Sequence, residues 1–397
     1  MAPRVRSARR ALGCVIGDMD LVRPLGLAGI RCAVVARPGA RVRYSRFTRA
    51  VLEWADPSGA GDVLVERLLC FAAAQASRPV LYYEGDWDLL LISRRRDELA
   101  RGFGFVIPPR ELVEDLVDKA RFQLLAARLR LPVPRGDVVS GDGPAAPAID
   151  LPAVVKPLTR QALTWDRLSA GAKAVEVWTP DELNAVCARL AISGVDALVQ
   201  ELVPGPESRV ESYHVYVDAQ GDVVAEFTGR KIRTYPRHHG HSTALELTEE
   251  RDVSELGREC IRRLGLRGVA KLDFKRAPDG SLFLLEVNPR FSLWHHLGAV
   301  AGVNIPALVY ADLTGRPRPA AERTAGPVRW CQPRTDLLAA RAAGISTARW
   351  LRFAAGCGAR SSFAWDDPLP ILRGALARAR RVSAPTAAPA AAEPLGG

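Results

Sequence analysis

Residues 269–290 constrain this chain more than any other stretch. Two apolar-rich runs flank Ala277-Pro278-Asp279-Gly280. Pro pre-sets φ at a turn and Gly accepts φ > 0, so the stretch reads as a β-hairpin. Side chains alternate faces along a strand. Lys271, Asp273 and Lys275 therefore share one face of the first strand, and Leu272 and Phe274 the other. On the second strand Leu282, Leu284, Glu286 and Asn288 share a face. A turn centred on Pro278-Asp279 sets Asp273 opposite Leu284 and Lys271 opposite Glu286. Asp273 and Glu286 are then diagonal neighbours, roughly 7–8 Å apart at the backbone. Pro289 cannot donate to a ladder and ends the strand, leaving Arg290 at its mouth.

Mg²⁺ takes hard oxygen ligands and is usually shared with substrate phosphates. Asp273, Glu286 and the Asn288 carbonyl supply oxygens, and an arginine grips phosphate bidentately. A half-exposed hairpin whose acids face water is the plain alternative. An Asp followed by Glu-x-Asn-x-Arg on the same face favours a metal and a polyphosphate. Asp273 with Glu286-Val287-Asn288-Pro289-Arg290 resembles the metal-binding hairpin of the ATP-grasp superfamily. The following Phe291-Ser292-Leu293-Trp294-His295-His296-Leu297, with Ala301-Gly302-Val303-Asn304, looks like its carboxylate–amine ligase branch, and is most similar to D-aspartate ligase-like proteins.

Four other stretches carry the resemblance. Asp118-Lys119-Ala120-Arg121-Phe122, with Leu131-Pro132-Val133-Pro134, looks like the ATP-grasp entrance. It implies that Lys119 reaches ATP phosphate or lies against the nucleotide. Lys156 near the end of the strand 151–157 matches a lysine that reaches the phosphates. Gln200-Glu201-Leu202-Val203-Pro204-Gly205-Pro206-Glu207 is similar to the hinge, where the Glu201 and Val203 backbones hold adenine and the Glu207 side chain holds ribose. Residues 229–236 resemble the segment facing the phosphates and the acceptor. There Lys231 and Arg233 alternate with Ile232 and are expected to point together as an anion grip. Arg290, with Lys231 or Arg233, then stabilises charge at the transferred phosphoryl group, and Lys271 is a further phosphate-side cation or a partner of Glu286. One departure stands out. The flap at 158–172 is usually glycine-rich, because its amides cradle anions, yet Gly171 is its only glycine. Arg160, Arg167 and Ser169 are the candidates to compensate.

Along the chain, the strand–turn–helix–strand pattern from Leu12 opens a doubly wound α/β unit without a G-x-G-x-x-G. Its strand 79–83 ends at Glu84-Gly85-Asp86, where open α/β sheets bind ligands. Continuous helices are expected over 112–129 and over 248–264, the latter from a capping box at Thr248, and a basic helix over 371–382. The fold class is α/β: a Rossmann-like pre-ATP-grasp domain, a two-lobed α+β ATP-grasp domain and a helical C-terminal extension. The boundaries are a basic tail at 1–10, the first domain at 11–112, the lobes at 113–197 and 198–316, the extension at 317–382 and a tail from 383.

Composition narrows the partners. The formal net charge is +11, but aromatics do not interleave with the basic residues as a nucleic-acid stacking platform requires, so no nucleic acid is expected. Seven scattered cysteines form no CxxC and suit a reducing cytoplasm as small buried hydrophobes. No apolar run reaches a membrane span. His238-His239-Gly240-His241 crowd one loop without the spaced partners of a zinc site. The cofactors implied are ATP and Mg²⁺, with Mn²⁺ admissible. The partners are small carboxylate and amine substrates of amino-acid or peptide-like kind, and a homodimer is allowed. The implied function is an ATP-dependent ligase making an amide through an acyl phosphate. A carbamoylating or carboxylating ATP-grasp enzyme, and a non-catalytic ATP-binding regulator, stay open.

Overall fold

The computed structural model describes residues 10–54, 61–140, 147–158, 163–169, 172–237, 240–320, 326–361 and 363–373. Short apolar runs buried on both faces require a parallel sheet covered on each side. Residues 13–83 meet this with β1 (Gly13–Ile16), α1 (Met19–Leu27), β2 (Cys32–Ala36), β3 (Thr48–Glu53), α2 (Gly61–Ala73) and β4 (Val80–Tyr83). The strands pair in parallel in the order β3-β2-β1-β4. Asp18 caps α1 by accepting from the Met19 amide. α1 packs on one face of this sheet. α2 packs on the other, with α3 (Asp86–Arg94) and α4 (Arg96–Leu99).

The helix expected over 112–129 is two helices, α5 (Arg110–Val117) and α6 (Lys119–Leu129). Asp118 between them is extended and accepts from the Arg121 amide, so it caps α6 instead of continuing α5. A second, antiparallel sheet follows, built from β5 (Gly136–Val139), β6 (Ala153–Pro157), β7 (Val175–Val177) and β8 (Ala197–Glu201) in the order β5-β8-β6-β7. Between these strands lie α7 (Leu163–Leu168) and α8 (Pro180–Ser193). α8 starts as its sequence indicates: Thr179 and Glu182 exchange capping hydrogen bonds and Pro180 takes the first turn.

The third sheet has seven strands. β9 (Val210–Val217), β10 (Val223–Tyr235), β11 (His241–Thr248), β12 (Gly268–Arg276) and β13 (Leu282–Asn288) are joined by β14 (Arg329–Cys331) and β15 (Ala359–Arg360), in the order β13-β12-β9-β10-β11-β14-β15. The helix expected from Thr248 begins later, as α9 (Arg251–Leu264), because Thr248 is held in β11 opposite Thr228. α9 buries Val253, Cys260, Ile261 and Leu264 against Tyr213, Leu272, Phe274 and Val287. Leu116, Phe122 and Leu125 join this same core, so α5 and α6 pack on the large sheet although they were expected in the first lobe. α10 (Trp294–Val300) and α11 (Ile305–Thr314) share a core with α1 and the N-terminal strands.

The extension is not only helical. α12 (Pro333–Ala342) and α13 (Thr347–Ala355) lie between β14 and β15, which extend the large sheet. Most of the expected basic helix 371–382 lies outside the described residues. Among the described residues, no single helix is long and apolar enough to cross a membrane. Six cysteines are buried and Cys70 is exposed.

The hairpin forms, but in a different register. Arg276 pairs with Leu282 and Phe274 with Leu284; after a bulge, Asp273 pairs with Glu286 and Lys271 with Asn288. Two causes add. The turn closes between Ala277 and Ser281, whose backbone bond is 2.9 Å, one residue longer than a turn centred on Pro278-Asp279. The extra residue Leu285 then adds a second step, as a bulge does. Leu284 consequently turns into the core with Leu272 and Phe274 and does not share a face with Glu286.

Candidate active site

The corrected register places Asp273 and Glu286 directly opposite each other, with Ser212 of β9 across from Asp273 on the other side. Asp273 is only 2 % exposed. A buried carboxylate needs charge and hydrogen bonds around it. Ser212 Oγ donates to Asp273 Oδ1, Lys271 Nζ donates to Oδ2 at 2.5 Å, and Lys231 Nζ lies 3.9 Å from the same oxygen. Asn288 Nδ2 donates to Glu286 Oε1 (3.0 Å), and Asn288 Oδ1 accepts from Arg290 Nη2 (3.3 Å). The Asn288 amide thus links carboxylate to guanidinium, with its oxygen turned toward Arg290 and away from Glu286. Arg290 Nε donates to Asp86 Oδ1 of α3 at 2.5 Å.

Lys156 enters from β6. Its Nζ donates to Gln200 Oε1 (3.0 Å), and Gln200 Nε2 donates to Pro134 O (3.2 Å). Gln200 is therefore spent on holding Lys156. Burial pushes Lys156 below the ordinary lysine range, while Glu286 and Glu207 push it back up. Those influences place the hinge acid and the hairpin acid around one lysine. The Glu201 and Leu202 amides donate to Arg135 O and Pro152 O, each at 2.9 Å, which ties the hinge to the small antiparallel sheet, and Val203 is buried. Glu207 opens a short 3-10 turn. Lys119 Nζ donates to Leu158 O at 3.1 Å, at the root of the flap.

Two expectations fail on geometry. Lys231 and Arg233 do not point together, because β10 bulges on both sides of Arg233. Arg233 turns to the C-terminal helices instead. Its Nε and Nη2 fork Asp336 at 2.8 and 2.7 Å, and its guanidinium lies 4.2 Å over the Phe353 ring. The compensating flap residues also find other work or lie out of view. Ser169 donates to Trp165 O (2.9 Å) and Arg167 is exposed. Arg160 and Gly171 lie outside the described residues, as do His238 and His239. His241 opens β11 and is exposed. His295 and His296 are core residues of α10. Burial lowers His295 to about 4, and its Nδ1 lies 2.9 Å from both the Ser292 amide nitrogen and the Ser292 carbonyl oxygen. His296 Nδ1 meets Asp20 Oδ1 at 2.9 Å.

Sequence reasoning left three participants unassigned. Ser212 holds Asp273 and shares the face of His214, an alternation visible in the sequence. Lys275, on the face of Asp273, donates to Gly205 O and Pro206 O at 2.7 and 2.9 Å, fastening the hinge turn to the hairpin. Asp86 meets Arg290 from a different sheet, and only the strand-end position of Glu84-Gly85-Asp86 hinted at it. Behind it, burial pushes Glu84 up to about 7 and Asp88 up to about 6, with Arg290 opposing both.

A family profile described as an ATP-grasp in the biosynthetic pathway with the Ter operon matches residues 194–332, the part that carries the hinge, β10 and the hairpin. Over this stretch the chain is similar to ATP-grasp proteins. It is 23% identical over 289 residues to a D-aspartate ligase of Enterococcus faecium, covering 69% of this chain and 68% of that protein. It is 30% identical over 213 residues to a D-alanine–D-alanine ligase of Halorhodospira halophila, covering 49% of this chain and 64% of that protein. Among solved structures, a biotin carboxylase from Campylobacter jejuni, determined as its βγ-ATP complex, superposes with a TM-score of 0.62 at 14% identity, over 80% of this chain and 74% of that one. That likeness speaks for the ATP-grasp fold alone.

Proposed function

We propose that this ATP-grasp protein is a ligase that uses Mg-ATP to join a carboxylate to an amine, through an acyl phosphate. The observation that carries this reading is the pairing of Asp273 with Glu286 across the hairpin, with Lys271 and Lys231 beside Asp273 and the charge of Glu286 felt at Lys156. The donor set fits a hard cation: Asp273 and Glu286 are directly paired across the hairpin, and the ammonium of Lys271 already sits on Asp273 as a positive charge. Mg²⁺ bound there would supply charge neutralisation between phosphate oxygens. Asp273 and Glu286 would hold it, with the Asn288 oxygen as a third donor once turned from Arg290.

The residues supply positioning and charge, which is most of what phosphoryl transfer needs. Lys156, poised by Gln200, and Lys119 at the flap root hold phosphates. The hinge 200–207 takes adenine and ribose. A substrate carboxylate oxygen attacks the γ-phosphorus and ADP leaves. The amine nitrogen then attacks the acyl carbon, phosphate departs, and the amine proton is lost. Arg290 and Lys231 stabilise the charge on the transferred phosphoryl group. Arg233, sealed against Asp336, is left out of this set. The D-aspartate and D-alanine–D-alanine ligase relatives support substrates of amino-acid or peptide-like kind.

The test is ADP release over a panel of carboxylates and amines, with bicarbonate as one arm. Release should require Mg²⁺ and both substrates, and Glu286→Ala should abolish it while keeping the melting temperature within a few degrees. Normal turnover by Glu286→Ala would remove the metal assignment. Release supported by bicarbonate alone would favour the carboxylating reading.

A further inference from the structure

Two arginines were candidates to grip an anion, and each meets a carboxylate from another part of the chain. The two contacts differ in kind. Arg233 forks Asp336, which is 0 % exposed and also accepts from Thr243 Oγ1 and Trp350 Nε1, each at 2.9 Å. That pair is sealed. Among the described residues Arg290 makes one charged contact, through Nε to Asp86, in a pair whose side chains are 13% and 29% exposed. Among them too, its Nη1 and Nη2 make long contacts, 3.4 Å to Phe291 O and 3.3 Å to Asn288 Oδ1. A guanidinium presents a fork suited to two oxygens of one anion, and here that fork is half used.

We propose that Asp86 is a place-holder for the anion that Arg290 grips during turnover. Asp86 keeps the guanidinium oriented, and an incoming carboxylate or phosphoryl oxygen must take its place. Asp86 is the first residue of α3 in the N-terminal unit, whereas Arg290 follows β13 of the large sheet. The exchange therefore makes anion binding at the hairpin felt at the N-terminal sheet, where Glu84 and Asp88 stand beside the released position. It also acts as a threshold: a ligand that offers only one weak contact does not displace an internal carboxylate held close by. Asp86 is in this sense a positioning residue that acts through Arg290. The inference rests on the reading of Arg290 as the anion grip.

The experiment measures inorganic phosphate binding by calorimetry to the full chain loaded with Mg-ADP, whose own binding is measured first and tests the nucleotide reading. Asp86→Asn removes the competing charge in the same shape. It should bind phosphate roughly five-fold more tightly than the unaltered protein, the factor expected for releasing a partly exposed ion pair. Asp86→Glu, which keeps the charge, should bind it as the unaltered protein does. Arg290→Ala should lose phosphate binding. A merely structural Asp86 gives equal or weaker binding in Asp86→Asn, and that result overturns the proposal. So does phosphate binding to neither protein, because an unmasked Arg290 should take an anion. If Mg-ADP binds but Arg290→Ala takes phosphate normally, the role given to Arg290 fails while the ATP site stands.

Discussion

Asp273 is a buried carboxylate whose charge is met by Ser212, Lys271 and, farther away, Lys231. Removing one partner of a buried pair leaves an uncompensated charge and typically costs about 3–5 kcal/mol. Lys271→Met should therefore lower the melting temperature, and Mg²⁺ should restore part of the loss by supplying a cation at the same carboxylate. Thermal melts with a chelator and with Mg²⁺ check this, and an equal drop in both conditions would speak against a cation site at Asp273. Glu84 poses the opposite problem. Burial raises its folded-state pKa from 4.5 to about 7, so the native protein binds a proton that the unfolded chain has already released. Stability then falls as pH rises from about 4.5 to 7 and the penalty is complete above that. Glu84→Gln keeps an oxygen for the Asp18 amide, 3.1 Å away. It should stabilise the protein at pH 8, by about 1–3 kcal/mol, and barely at pH 5. Denaturant melts at the two pH values measure it, and equal gains at both would show that the carboxylate is not the cause.

At the scale of elements, the hairpin shows what a strand pattern can and cannot say. The pairing of period-2 alternation with Pro and Gly placed Asp273, Lys271 and Lys275 on one face correctly, because the pleat fixes faces within a strand. The register across the hairpin depends on how many residues the turn takes and on the bulge at Leu285, and neither has a local composition signal. The result is nonetheless more favourable chemically, since the two acids come directly opposite instead of diagonal. A bulge also explains Arg233. In the unbulged β10 its side chain would share a face with Lys231; the shift at Ile232 sends it to Asp336, about a hundred residues on. Capping was legible at Thr179, where a side chain closes it; the Asp18 cap of α1 was not. It failed at Thr248, where pairing with β10 outweighed the helix signal. Close packing was not legible at all: a Cβ on Gly257 of α9 would lie 2.4 Å from the Tyr213 ring, so this glycine lets the helix rest on β9, and nothing around it in sequence says so.

In the whole molecule, the candidate site is assembled from three sheets, and its parts are held by contacts that cross between them. Asp20 of α1 accepts from His296 of α10 and from Trp330 of β14, and Lys275 fastens the hinge. The C-terminal segment belongs to this assembly, although it read as a separate helical extension. α12 and α13 are joined to β10 and β11 by Asp336, which takes four donors from Arg233, Thr243 and Trp350. Asp336→Ala strands the sealed Arg233 and should cost about 3–5 kcal/mol, whereas replacing both partners by leucine should cost less, since an apolar pair leaves no orphaned charge. The loss should not be uniform. Residues 333–360 meet the rest through this knot, a small apolar cluster around Cys331 and Cys357, the pairing of β15 with β14, the burial of Ala359 in the core under α10 and α11, and Arg23, which donates to Arg360 O. Hydrogen exchange in Asp336→Ala should therefore rise first there and in the Arg233 end of β10, while the core under α9 keeps its protection. If exchange instead rose evenly through β9, β12 and α9, the C-terminal segment would be part of one cooperative unit with the hairpin, and its loss would carry Asp273 and Glu286 with it.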